Sequence, residues 1–404
     1  MACEEEEEDS FCDNYLVIKP EKASLLDLFR ILFSRNLERR DFFNCPEEGV
    51  LSRFDHRWIV FISLLVQKVL LFIKIPLAAV GTVVEFFLNL PAANGGCRRL
   101  FFNLLTDYQQ TKTTNAMIFQ NKNVGPNLIT VAFRGTEPFN TDDWRTDVDI
   151  SWYEFKGVGK IHGGFMKALG LQKCTGWPKE IPTGPAHKPY AYYTIRERLR
   201  TLIHENSDAK FMVTGHSLGG ALAILFAGVL AIHDEKFLLS RMEGVYTFGQ
   251  PRVGNEQFGE YMKKKLRDYS VKYFRYVYNN DLVPRLPYDD KAFMFKHFGP
   301  CLYFNSCYKG FVLEEEPNKN YFSLFYVVPK ILTAVYQLIR SFILPWRRGK
   351  DYREGWLMKL LRVFALVIPG FTDHVLVDYV NSTRLGKLPS VVYPGGPNQV
   401  LKQH

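Results

Sequence analysis

The sequence carries none of the signatures of a nucleotide or nucleic-acid binder: no zinc-ligand spacing, no basic zipper and no Gly-rich phosphate loop. It is also poor in cysteine. Seven thiols at positions 3, 12, 45, 97, 174, 301 and 307 are odd in number and mostly far apart. That argues against a disulfide framework and for a reducing, cytosolic setting. Cys301 and Cys307 have no His or Cys at ligand spacing, so both read as free thiols, and neither metal nor cofactor is expected. Residues 1–20 begin in acid and lack an apolar run, so no secretory signal is expected there.

What the chain does have is apolar and aromatic mass. Its 404 residues are 47% hydrophobic and 15% aromatic, enough for one large α/β domain with appendages or for two domains. The formal charge is +9 although six acids stand together at Glu4 to Asp9, so the body is more basic than the total. The positive charges lie beside apolar stretches, which favours an anionic membrane surface over nucleic acid as partner.

Taken in order, residues 1–20 read as a solvated acidic tail with a short apolar patch at Tyr15 to Ile18, and 24–43 as a helix capped by Ser24. Trp58 to Leu90 is overwhelmingly apolar but is interrupted by Lys68, Lys74 and Glu85 and broken near its middle by Pro76. A spanning helix needs about 20 predominantly apolar residues, and each arm falls short or carries a lysine. A buried helix pair and a single span remain open. A helix or bent hairpin in one leaflet suits the lysines best, because they can snorkel to headgroups. We take 1–50 as a partly disordered tail, 51–97 as a membrane-associating segment, and 98–404 as the main α/β domain with a helical insertion over 310–371.

Strands at 128–133, 244–248 and 271–278 alternate with helical stretches, which predicts a mostly parallel sheet covered on both faces. Residues 174–190 read as a loop. Within the insertion, Lys330, Thr333, Gln337 and Arg340 recur every three or four positions between Pro329 and Pro345, with apolar residues opposite. That is an amphipathic helix bounded by prolines. A basic cluster and a second apolar helix, Trp356 to Ile368, follow. The pair either packs on the domain or forms a lid or membrane-docking element.

The chemistry centres on Lys210 to Ala223. A short apolar strand runs into Gly215-His216-Ser217-Leu218-Gly219, and an Ala/Leu-rich helix follows to about His233. A Gly-x-Ser-x-Gly turn between strand and helix holds a serine hydroxyl clear of the sheet, and its glycines leave room for the neighbouring backbone. Such a serine needs an acid and then a base later in the chain. Asp281 follows the strand ending at Tyr278. His374, at a loop-to-helix junction, is preferred as base over His297, which lies only 16 residues past Asp281 and suits a structural role; His404 is terminal. Leu218 N–H and Thr136, in Arg134-Gly135-Thr136, are the candidate oxyanion donors. His216 is expected to pack beneath the turn.

Five segments in order resemble the lipase class 3 (fungal-type triacylglycerol lipase) family: Val131 to Thr136 with Asp143-Trp144, His162-Gly163-Gly164-Phe165, the elbow itself, Phe248 to Asn255, and Asn280-Asp281-Leu282-Val283-Pro284. The apolar stretch before the domain, the long insertion, and Asp373-His374 with Asp378-Tyr379-Val380 are most similar to plant oil-body lipases. The resemblance implies an α/β-hydrolase fold and triacylglycerol hydrolysis on lipid droplets. It also implies a Ser217–Asp281–His374 triad with Thr136 and Leu218 as oxyanion donors. A phospholipase A1 or galactolipase is the alternative within the enzyme class, and a non-catalytic lipid-droplet protein the alternative outside it.

Overall fold

The computed structural model describes residues 12, 14–33, 41–45, 54–79, 116–121, 127–135, 145, 148–171, 191–287, 289, 295–319, 321, 324–367 and 369–388. Its organising layer is a seven-stranded sheet in the order β13-β12-β10-β8-β7-β4-β3. These strands are β3 (Ala116–Asn121), β4 (Leu128–Phe133), β7 (Lys210–His216), β8 (Met242–Phe248), β10 (Lys272–Tyr278), β12 (Cys301–Phe304) and β13 (Gly310–Leu313). The five inner strands run parallel, and the two edge strands are antiparallel to their neighbours. Parallel strands need covered faces and helical crossovers. The crossovers include α4 (Ala191–Glu205), α5 (Leu218–Ile232), α6 (Lys236–Arg241) and α7 (Glu256–Asp268). Helix α5 is apolar all round, and it is buried along almost its whole length against β7 and β8, as such a helix must be.

A second, antiparallel sheet runs in the order β11-β9-β6-β5-β1-β2. Its strands are β1 (Asn14–Ile18), β2 (Phe43–Asn44), β5 (Trp152–Phe155), β6 (Gly159–His162), β9 (Gly254–Asn255) and β11 (Phe295–Lys296). Here the structure corrects the reading of the N-terminus. The apolar patch assigned to a tail is β1, paired with β5 so that Tyr15 opposes Tyr153. Leu16 and Ile18 are fully buried, and their burial outweighs the disorder that the acidic run suggests. The acidic run itself lies outside the described residues.

Of the helix expected over 24–43, the described part is α1 (Leu25–Phe33), while 41–44 are turn and strand and 34–40 lie outside the described residues. Ser24 does cap it, accepting from the Asp27 amide while Asp27 accepts from the Ser24 amide, a reciprocal capping box. Helix α2 (Phe54–Phe72) is followed by a short helix over 74–79 that contains Pro76. Val60 and Leu64 pack α2 onto the second sheet, while Trp58, Ile62, Val69 and Phe72 point outward. Over 54–79, then, the helices are not buried on all sides. Residues 80–115 and the loop at 174–190 lie outside the described residues. Helix α3 (Gly163–Ala168) is capped by His162, whose Nδ1 accepts from the Phe165 amide at 3.3 Å.

The insertion holds α8 (Val327–Arg348) and α9 (Trp356–Phe364), and α10 (Leu376–Leu385) follows. Prolines do not bound α8. Pro329 sits in the first turn, where amides lack helical partners anyway, and Pro345 in the last, where the Gly349 amide donates to its carbonyl.

Candidate active site

Ser217 stands between β7 and α5 with φ +58 and ψ −131, a conformation a side-chain-bearing residue adopts only when its surroundings force it. Two features do so. The Ser217 amide donates to the Phe248 carbonyl at 2.9 Å, tying the turn to β8. The flanking glycines let backbones touch: a Cβ on Gly215 would lie 2.1 Å from the Gly219 oxygen, and one on Gly219 would lie 2.3 Å from the Phe133 oxygen.

Strand register brings the other groups to the same edge. His216 of β7 is level with Phe248 of β8, and Phe248 is level with Tyr276 of β10. β10 therefore delivers Asp281 within one turn of the elbow. His374 closes the 3-10 turn Thr372–His374 ahead of α10. Its Nε2 is 2.7 Å from Ser217 Oγ, and its Nδ1 is 3.0 and 2.9 Å from the two carboxylate oxygens of Asp281. The His374 side chain keeps slight exposure, 17%, whereas Asp281 is fully buried. A buried carboxylate must be matched by donors. Besides His374 it accepts from the Val283 amide at 2.9 Å and from the Tyr379 hydroxyl.

His297 is elsewhere. Its Nε2 is 2.6 Å from the Pro284 carbonyl, and Glu316 lies beside it with Arg252 and Arg275. Burial first, then Arg275, pushes its pKa well below the usual range. Leu218 opens α5, where a first-turn amide has no helical acceptor. Thr136 and the Asp143-Trp144 pair lie outside the described residues. His216, expected beneath the turn, has a defined partner. Its ring stacks on His374 with centroids 4.6 Å apart, and its Nε2–H donates to the His374 carbonyl at 2.8 Å. Burial, then neighbouring His374, lowers its pKa to about 3, so it stays neutral and does not compete for protons at ordinary pH.

Several supporting groups escape sequence reasoning. Tyr379 bridges Asp281 and the Tyr278 amide. Arg285 clamps the Asp281 turn by donating to the carbonyls of Asn279, Asp281, Pro317 and Asn318. Gly249 has φ +58, and a Cβ there would meet Asp281 Oδ2 at 2.9 Å and His374 Cε1 at 3.1 Å. Asp373 accepts from Asn279 Nδ2, the Asn280 amide and Gln337 Nε2 at 2.7 to 3.0 Å. The signal for Asp373 and Tyr379 was their nearness to His374; nothing in their spacing assigns a partner. Both thiols read as free, Cys301 buried and Cys307 exposed, are unbridged.

A parallel sheet carrying a strained serine, a histidine and a buried carboxylate at its C-terminal edge defines a serine hydrolase of the α/β-hydrolase class. Residues 130–291 match the family profile Lipase (class 3). The chain is 34% identical to triacylglycerol lipase OBL1 of Arabidopsis thaliana, over 92% of this chain and 95% of that one. It is 35% identical to the protein of the same name from Nicotiana tabacum, over 83% and 84%. Among solved structures, the Rhizomucor miehei lipase propeptide complex is 27% identical over 48% of this chain and 54% of that one, with a TM-score of 0.38. The chain belongs to the lipase class 3 family.

Proposed function

We propose that the chain is a triacylglycerol lipase that cleaves fatty-acyl esters at a lipid-droplet surface through a Ser217–His374–Asp281 triad. The observation that carries this reading is the unbroken relay of contacts, 2.7 Å from Ser217 Oγ to His374 Nε2 and 2.9 Å from Nδ1 to Asp281. The substrate class is supported by the names of the relatives in Arabidopsis and tobacco.

In this mechanism Ser217 Oγ bonds to the ester carbonyl carbon while its proton passes to His374 Nε2. Asp281 holds Nδ1–H, which fixes the tautomer and stabilises the imidazolium. The Leu218 amide, with Thr136, stabilises the oxyanion. Collapse breaks the bond to the alkoxide leaving group, which takes the proton from His374 and departs as diacylglycerol. Water, deprotonated by His374, then attacks the acyl-serine and releases the fatty acid, returning the proton to Ser217. Residues 98–404 together with β1 form the catalytic body, and 51–97 associates with the lipid surface.

The test is hydrolysis of triolein emulsion, phosphatidylcholine and galactolipid in parallel, with Ser217→Ala as control. Preference for triolein, abolished in the variant, is expected. Preference for either polar lipid overturns the substrate, and turnover surviving in Ser217→Ala overturns the mechanism.

A further inference from the structure

Helix α8 is mounted inside out. Along its middle the long polar side chains are the buried ones, and most of the large apolar ones face outward. Lys330, Gln337 and Arg340 are all at most 5% exposed, while Leu332 is 64% and Ile339 is 52% exposed. The buried groups are bonded along the helix. Lys330 Nζ donates to the Tyr321 carbonyl, Gln337 Nε2 to Asp373 at 2.7 Å, and Arg340 to Asp378 at 2.9 Å. From Lys330 to Arg340 is about 15 Å of helix. Among the described residues, α8 is the one helix long and apolar enough to cross a membrane. These bonds instead hold it flat along the domain, because leaving them would take a donor from each of the buried carboxylates Asp373 and Asp378.

Helix α9 repeats the arrangement. Arg362 is buried and joins the same Asp378, at 2.9 Å, and Glu354 at 2.6 Å. Trp356, Leu360 and Val363 are exposed. The outward apolar surface continues from Phe364 to exposed Phe371, whose rings are 6.3 Å apart, and so reaches the turn that carries His374. Its rim has the chemistry of a headgroup region. Arg347 and Arg348 are exposed next to Trp346 in the chain, which is 93% exposed, and Arg353 is exposed between α8 and α9. Lys359 Nζ lies 4.9 Å from the Phe342 ring centre. An apolar face with tryptophans and guanidinium groups at its edge matches the acyl–headgroup boundary of a phospholipid layer.

We infer that the outward face of α8 and α9 is the surface by which the protein lies on a phospholipid layer that carries anionic headgroups. The inference rests on the lipid-surface reading above and adds to residues 51–97 a second contact, on the face that carries the insertion. Docking there sets the His374 turn against the layer, because Gln337 and Arg340 bond to Asp373 and Asp378 on either side of that histidine.

The test uses purified full-length Ser217→Ala, which binds without turnover, in flotation with phosphatidylcholine vesicles with and without phosphatidylserine. We expect the parent to float. Adding Leu332→Glu, Ile339→Glu and Leu360→Glu lowers binding at least about tenfold. Arg347→Glu with Arg348→Glu instead removes the gain from phosphatidylserine, about tenfold or more, and leaves binding to neutral vesicles. In a Ser217-intact chain the triple change costs less than about threefold on a water-soluble short-chain ester, because those side chains face solvent. Undiminished flotation of the triple variant overturns the inference. So does a parent that is dimeric through this face and becomes monomeric in the variant. If wild type ignores triolein but the parent still floats through this face, the substrate reading fails and the docking surface stands.

Discussion

Gln337, buried on α8, donates to Asp373 Oδ1 at 2.7 Å, and the next residue after Asp373 is the histidine that meets Ser217. The insertion is thus bonded directly to the turn that carries the candidate base. Gln337→Leu leaves a buried carboxylate oxygen short of a donor. A loss of roughly 1–3 kcal/mol in unfolding free energy is expected, and chemical denaturation of the full chain measures it. No change in midpoint would mean that the contact carries nothing.

Asp373 also gives a pH signature. Burial, then neighbouring Asp378, raises its pKa to about 6, with the donors Gln337, Asn280 and Asn279 pulling it back part of the way. In the unfolded chain it titrates in the ordinary carboxylate range. Between those values the folded state holds a proton that the unfolded state has lost. This contribution is complete below the unfolded value and disappears as pH rises through about 6. Wild type should therefore lose roughly 3 kcal/mol relative to Asp373→Asn between about pH 4 and pH 7. A constant offset between the two proteins over that window would refute the assignment.

Tyr379→Phe keeps the packing and removes one donor from Asp281. The carboxylate then holds the imidazole less firmly. We expect kcat on a soluble ester to fall about tenfold with KM within about twofold. A change confined to KM would place Tyr379 in substrate binding instead.

The two histidines separate cleanly. His374→Ala should abolish labelling of Ser217 by a fluorophosphonate, since the hydroxyl then has no base. His297→Ala removes a buried group from the Arg252–Arg275–Glu316 cluster, so thermal stability drops while labelling per folded molecule persists. Labelling that fails in His297→Ala and survives in His374→Ala would reverse the roles.

Gly249→Ala tests the crowding around the acid. Its positive φ already disfavours alanine, and the added carbon would press on Asp281 and His374. Loss of at least about tenfold in kcat/KM is expected, read on the soluble ester.

Much of this was legible in the chain because the elbow and its partners depend on local grammar. Gly215 and Gly219 flag close backbones, and a strand ending at Tyr278 announces where Asp281 will sit. His374 was separable from His297 by its loop-to-helix position. Tertiary pairing was not legible. The patch at Tyr15 to Ile18 is too short to announce a strand, and its partner β5 lies far along the chain. The stripe of Lys330, Gln337 and Arg340 gave the period of α8 but not its orientation. Amphipathicity alone puts apolar residues inward, and only the presence of Asp373, Asp378 and Tyr278 beneath the helix turns it over. The partner of His216 is hidden for a related reason, since it is the backbone of a residue 158 positions away.

Ser217 and His374 are 157 positions apart, and Asp281 lies 93 before the histidine. During synthesis the proposed nucleophile leaves the ribosome well before its proposed base is made. At about 5–20 residues per second the gap lasts roughly ten to thirty seconds. The elbow, α5 and much of the parallel sheet can assemble in that interval with the serine unarmed. Under the proposed triad a nascent or prematurely terminated chain is chemically silent, and esterase activity would report that translation has passed His374 and that α10 has docked.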